Sequence, residues 1–143
     1  MNVKESNRDT TLCLATAHAL VQLDDGTTVG DPMEKATLEA LEWTLSKGDQ
    51  IAPKSATAPH RAQITIRRRF QFSSALKRMS TIATLGGGRT VGSVKGAPET
   101  IKTMLSEVPA HYDDTYKWFT RRGSRVLALA IKDMPNLSND KVC

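Results

Sequence analysis

Cysteine, histidine and aromatic residues are scarce in this chain, and each scarcity removes a class of function. Of the two cysteines, Cys13 sits in an apolar run and Cys143 is the last residue. That reads as one buried thiol and one terminal thiol, not a disulfide framework, and it suits a reducing, cytosol-facing compartment. His18, His60 and His111 lack metal-ligand spacing, so no zinc site is expected. No apolar run approaches the ~20 residues of a membrane-spanning helix, and the N-terminus lacks the charged and apolar regions of a signal peptide, so a soluble chain is expected. Repeats and long low-complexity tracts are also missing. The 143 residues are read as one globular domain, 1–143, with a single core.

Positive charge is what the chain has in excess. The formal charge of +5 admits an anionic partner, and the basic residues gather at Arg61, Arg67, Arg68, Arg69, Lys77 and Arg78 and again at Arg121, Arg122 and Arg125. A nucleic-acid binder would show such patches, but aromatics make up only 5% of the chain and no RNA-recognition, homeodomain or zinc-finger pattern accompanies them. A basic module for nucleic acid or an acidic protein is kept as the alternative reading.

Local patterning predicts helices flanking a largely antiparallel sheet, an α+β class. Thr10 to Asp24 reads as a helix with Leu12, Leu14, Ala15, Ala19 and Val21 on one face, broken by Asp24-Asp25-Gly26. Asp31-Pro32-Met33-Glu34 supplies a cap, a proline at N1 and an acid at N3; the helix it starts carries Leu38, Leu41, Trp43 and Leu45 and stops at Gly48. Two prolines and small residues make Gly48 to Arg61 a loop. From Gln63 the period is two, placing Ile64, Ile66, Phe70 and Phe72 on one face of a strand and Thr65, Arg67, Arg69 and Gln71 on the other. Met79–Leu85 and Thr90–Lys95 are its neighbours, joined through Gly86-Gly87-Gly88. This is a turn, not a phosphate loop, because no GK[ST] follows. Short helices from Pro98 to about Leu105 and from Tyr112 to Arg122 precede a last strand, Arg125 to Ile131.

Two stretches concentrate chemistry. In Val94-Lys95-Gly96-Ala97-Pro98-Glu99 a strand ends at a lysine, crosses a glycine and enters a helix through proline. Lys95 there suits a phosphate or purine contact, and it also reads as a solvated lysine at a strand end. Phe70 to Ser80 offers aromatics, hydroxyls and the cation pair Lys77 and Arg78. Phe72 can stack on a base or belong to the core.

With both stretches in view, the sequence resembles the nucleotide-binding domain of P-type ATPases. Four of that family's segments occur in its order: Gly30-Asp31-Pro32-Met33-Glu34-Lys35-Ala36, Phe72-Ser73-Ser74-Ala75-Leu76-Lys77-Arg78-Met79-Ser80, Lys95-Gly96-Ala97-Pro98-Glu99 and Arg125-Val126-Leu127-Ala128-Leu129-Ala130. The resemblance implies ATP as ligand, with Phe72 stacking adenine, Lys77 and Lys95 lining the pocket, Arg125 on the phosphate side, Glu34 near the adenine edge and Gly96 as a close-approach glycine. Glu34 has a structural competitor, since at N3 of a capping box its side chain would return to the backbone N–H of Asp31.

The family's nucleophile lies in an Asp-Lys-Thr-Gly-Thr segment of a separate phosphorylation domain, which also holds most of the magnesium, and no such segment occurs here. The resemblance therefore implies an excised or truncated domain of a larger pump that binds ATP without catalytic residues or metal ligands of its own. Its partners would be the phosphorylation and actuator domains of the same parent, with the chain itself monomeric. Phe72 to Ser80, Val108-Pro109-Ala110-His111-Tyr112-Asp113 and Gly123 to Ala130 look like type-five subgroup A, endoplasmic reticulum dislocases of misinserted transmembrane helices. The domain would then face the cytosol. Subgroup B, the polyamine exporters, tends to place glutamine at the Lys77 position and to read Gly-Phe-Arg-Val-Ile in the last segment; a polyamine or cation transporter of that subgroup is the nearer alternative.

Overall fold

A computed structural model describes residues 6–55, 63–86 and 88–134. Helix α1 (Arg8–Thr16) is followed by a small hairpin of β1 (Val21–Gln22) and β2 (Thr28–Val29), then by α2 (Pro32–Leu41). The strands β3 (Trp43–Ser46), β4 (Gln50–Pro53), β5 (Ile64–Ser73), β6 (Arg78–Leu85) and β7 (Thr90–Gly96) come next, and α3 (Pro98–Lys102) and α4 (Tyr112–Arg121) separate them from β8 (Ala128–Met134). Strands β3 to β8 form one six-stranded sheet in chain order, every neighbouring pair antiparallel. The class is α+β, as the patterning predicts.

Both early helices are shorter than expected. Helix α1 ends at Thr16, whose hydroxyl bonds back to the Leu12 carbonyl and across to Ser93 of β7, and Val21 opens the β1–β2 hairpin around Asp24-Asp25-Gly26. Helix α2 begins where the Asp31-Pro32 signal puts it, with the Asp31 carboxylate accepting from the Met33 N–H at 2.8 Å. It stops at Leu41 because Glu42 turns left-handed at φ 58°. Beyond that point Trp43 and Leu45 are buried while Thr44 and Ser46 are exposed, a period of two that belongs to a strand. Gly48 therefore serves the β3–β4 turn, at φ +75°, and part of the expected loop is β4. Residues 56–61 of that loop, Gly87, and the tail with Cys143 lie outside the described residues.

Strand β5 does not keep one apolar face. It carries two single-residue bulges against β6, between Ile66 and Arg68 and between Phe70 and Ser73. Residues directly opposite in an antiparallel pair share a face, and each extra residue shifts the alternation by one. Ile64 and Ile66 oppose Leu85 and Ala83 on the core face, whereas Phe70 opposes Ser80 on the other side. The second bulge restores the alternation: Ser73 opposes Arg78 on the Ser80 side, so its neighbour Phe72 returns to the face of Met79. Arg69, opposite Thr81, also faces the core side, where its Nε donates to the His18 carbonyl at 2.7 Å and its guanidinium meets Asp49.

The core lies between that face and the first two helices, with Leu12, Leu20, Trp43, Ile51, Ile64 and Val91 among its buried members. Cys13, Ala17 and Met79, with Leu129, form a smaller cluster toward the other end of the sheet. Burial pushes the Cys13 thiol up to about 11, which keeps it protonated and unreactive near neutral pH. On the opposite face, Phe70, Ile82, Val94, Met104 and Met134 help line a cavity of about 610 Å³ that contains none of Glu34, Phe72, Lys77, Lys95, Gly96 or Arg125.

Candidate functional site

Five of the six singled-out residues converge on one end of the sheet because of register. Ser73, Arg78, Gly96 and Ala128 form one rung across β5, β6, β7 and β8, and Met79, Lys95 and Leu129 form the next. Phe72 sits beside that second rung on the same face and is 63% exposed. Lys77 closes the turn between β5 and β6 in a left-handed conformation, φ 54°, with its side chain in solvent. Arg125 is exposed in the segment leading into β8, three positions before the residue that pairs with Gly96. The sheet end thus carries an open aromatic ring and four cations, Arg78 and Lys95 on the two rungs, Lys77 in the adjoining turn and Arg125 in the segment leading into β8.

Gly96 is packed closely against the chain's own backbone. A Cβ at this position would overlap the Lys77 carbonyl oxygen and crowd Arg78, so the backbone that approaches Gly96 closely is the chain's own. The same carbonyl accepts from the Ala97 N–H at 3.1 Å, which seats the Lys77 turn on the strand end. Gly96 therefore shapes the site by positioning Lys77.

Glu34 joins the site from α2, and its carboxylate does not return to Asp31 as a capping box requires. One oxygen accepts from the Lys95 ammonium at 2.7 Å and the other from the Ala19 N–H at 3.0 Å. The reason is proximity of a stronger partner: Lys95 projects from β7 toward the start of α2, and a charge-assisted bond to an ammonium outcompetes one to a neutral N–H. The pair is largely buried, with side chains 16% and 11% exposed for Lys95 and Glu34. Beneath it lies a cavity of about 130 Å³ lined by Ala17, His18, Met33, Glu34, Lys95 and Leu127 among others. That is close to the ~150 Å³ of an engineered cavity that accepts benzene, room for one ring system but not a whole nucleotide.

His18 is the residue that sequence reasoning missed here. Only its lack of metal spacing was legible, because a lone histidine between two alanines carries no pattern. It is 2% exposed; its Nδ1 accepts from the Leu20 N–H at 3.1 Å, while Nε2 has no partner in the protein. Burial, followed by the positive charge of Arg69, pushes its pKa down from 6.5 to about 4, with Glu34 and Asp49 pulling upward and Lys95 adding to the depression. The folded ring is neutral while the unfolded ring protonates near 6.5, so stability is full above that pH and falls as pH drops toward about 4. Chemical denaturation at pH 6.5 to 5 should show a loss approaching about 1.4 kcal/mol per pH unit, and His18→Asn should flatten that slope.

Among the described residues, no group of three or more His, Cys, Asp or Glu side chains gathers as a metal site, and no helix is long and apolar enough to cross a membrane. Residues 2–142 match the family described as P-type ATPase, cytoplasmic domain N. The chain is 57% identical over 136 residues to the endoplasmic reticulum transmembrane helix translocase spfA of Aspergillus fumigatus, covering 87% of this chain and 10% of that protein. It is 49% identical over 138 residues to the endoplasmic reticulum transmembrane helix translocase of Saccharomyces cerevisiae, covering 96% of this chain and 11% of that one. Against the polyamine-transporting ATPase 13A2 of Mus musculus identity is 35% over 145 residues, with 85% and 12% covered. The chain thus spans about a tenth of the length of these curated relatives. With its four ordered segments, its antiparallel sheet and a match over nearly its whole length, the chain belongs to the P-type ATPases and corresponds to their cytoplasmic N domain, most like that of the type-five subgroup A helix translocases.

Proposed function

We propose that this chain binds ATP at the Phe72–Lys95 end of its sheet and presents the terminal phosphate to a phosphorylation domain elsewhere in a longer parent. The observation that carries the reading is the second bulge of β5, which returns an exposed aromatic ring to the sheet face of Lys95, whose ammonium meets Glu34 at the lining of a cavity sized for one ring system. Phe72 stacks the adenine, the cavity takes its edge beside Glu34 and Lys95, and the exposed Lys77 and Arg125 offer positive charge where the phosphates emerge. Magnesium is held mainly by the phosphorylation domain. The parent is an ATP-driven transmembrane helix dislocase with this domain on the cytosolic face of the endoplasmic reticulum; identities of 57% and 49% to helix translocases, against 35% to a polyamine transporter, support that choice.

A titration followed by NMR tests the binding reading. ATP should shift amide signals around Phe72 and Lys95 with a dissociation constant of ~0.1–10 mM, roughly 3–5 kcal/mol in total. A duplex oligonucleotide should give at most weak shifts that vanish with salt. Specific oligonucleotide binding with the Phe72 region unmoved would overturn the proposal in favour of a basic binding module. The same preparation should hydrolyse ATP no faster than background, because the chain has no Asp-Lys-Thr-Gly-Thr nucleophile segment; turnover that persists through further purification contradicts it.

A further inference from the structure

Arg69 is a largely buried cation on the core face of the sheet, turned inward by the first bulge of β5. A buried guanidinium is costly to desolvate, and an apolar side chain of similar size usually serves a fold as well or better. What this guanidinium grips is specific. Its Nε donates to the His18 carbonyl at 2.7 Å, and the N–H of that same peptide unit, the Ala19 N–H, donates to Glu34 at 3.0 Å. One peptide group is therefore held on its oxygen by a cation and on its nitrogen side by an anion. The series continues to Asp49 beyond Arg69, at 3.5 Å, and to Lys95 beyond Glu34, at 2.7 Å, so charges alternate in sign across the core face. Ala17 to Leu20 join α1 to β1 without belonging to a helix or strand, so the His18–Ala19 peptide takes its orientation from the side chains that grip it. Polarisation adds to the clamp: a donor on the carbonyl oxygen draws electron density through the amide, which makes its N–H a better donor to Glu34.

Resting on the proposal that ATP binds beside the Glu34–Lys95 pair, we infer that Arg69 is a positioning residue of the nucleotide site: through the His18–Ala19 peptide it fixes the Glu34 carboxylate, which in turn aims the Lys95 ammonium. Arg69 does not line the cavity beside that pair, so it acts on a ligand only through these groups. The three side chains come from β5, α2 and β7, and the peptide between them sets how the start of α2 is seated on the sheet. Without Arg69 the peptide is free to turn, Glu34 loses a directed donor, and Lys95 follows a carboxylate that is no longer fixed.

The test reads one amide signal and the affinity for ATP. In ATP-free Arg69→Met the Ala19 amide proton should move upfield and exchange with solvent about tenfold faster relative to other core amides, the mark of a weakened hydrogen bond. ATP should bind this variant about fivefold more weakly than wild type. In a Glu34→Ala, Lys95→Met background the same change at Arg69 should leave ATP affinity where it is, because nothing remains to be positioned, whereas a general effect on stability or on the positive field would persist. Arg69→Lys keeps the charge and a donor without the planar fork and should recover part of the affinity. If Arg69→Met leaves the Ala19 signal in place, or weakens ATP equally in both backgrounds, the assignment is wrong. Should Arg69→Met fail to fold, wild type decides: the Arg69 Nε–H signal should shift on ATP addition with the same dissociation constant as the Lys95 amide, and a signal that stays fixed at saturating ATP overturns the assignment. Failure of wild type to bind ATP would overturn the nucleotide reading and this role with it, a result distinct from ATP that binds without regard to Arg69.

Discussion

Phe72→Ala should make ATP binding by this domain hard to detect while leaving its melting temperature almost unchanged. The two halves of that expectation have separate physical sources. Base stacking on an aromatic side chain contributes ~1–3 kcal/mol, set against a total of roughly 3–5 kcal/mol for a dissociation constant of ~0.1–10 mM, so one ring is a large share of the whole. Stability is insensitive because the ring is 63% exposed, and truncating an exposed side chain usually changes stability by under ~0.5 kcal/mol. Phe72→Trp should retain much of the binding, since a larger π-face sits on the same bulge. Phe70→Ala is the matched control: two positions away, it lies on the opposite face beside the larger cavity, and its loss should leave ATP binding intact. ATP titrations monitored by NMR or calorimetry on folded Phe72→Ala decide the point, and wild-type affinity there would put the pocket in the wrong place.

The contrast between Phe70 and Phe72 also shows where legibility in the sequence ends. Alternation over Gln63 to Ser73 places both rings on one face, and only the pairing with β6 reveals two extra residues that swing Arg69 inward and separate the rings. A bulge depends on what lies opposite, so a strand read alone does not disclose it. The Trp43-Thr44-Leu45-Ser46 run was open to better reading, since spacings of two after spacings of three mark the change from helix to strand. Asp31-Pro32 and Pro98 were legible because a cap and a proline at N1 are local chemistry. Lys77, Lys95, Gly96 and Arg125 came from motif resemblance, and what assembles them is strand register, a long-range property. Glu34 was identified as a site residue, but its partners, Lys95 and the Ala19 N–H, lie 61 and 15 positions away, beyond the reach of any helix-start rule.

Glu34→Ala should lower stability by about 3 kcal/mol, about 10 °C in melting temperature for a domain of this size, a larger effect than any surface charge produces. The carboxylate ties the start of α2 to the chain after α1 and to β7 at once, and both bonds are shielded from solvent. Its removal leaves the Ala19 N–H without an acceptor and the Lys95 ammonium largely buried without a counter-charge, and stranding such groups is what makes breaking a buried pair costly. Glu34→Gln should fall between, because an amide has one oxygen and can satisfy Ala19 or Lys95 but presents its NH₂ to the other. Lys95→Met beside Glu34→Ala should recover a good part of the loss, since a buried pair exchanged for apolar side chains is often neutral. That recovery separates a stranded charge from simple loss of packing: thermal melts of the four species form a double-mutant cycle, and additive losses would mean that Glu34 and Lys95 do not act as a unit. Binding need not follow stability, because the double variant keeps Phe72 but loses the carboxylate at the adenine edge. A double variant that regains a good part of the lost melting temperature, short of wild type because the Ala19 N–H stays unpaired, and that binds ATP several-fold more weakly is the expected result, and it would assign the pair one role in holding the fold and a second at the edge of the base.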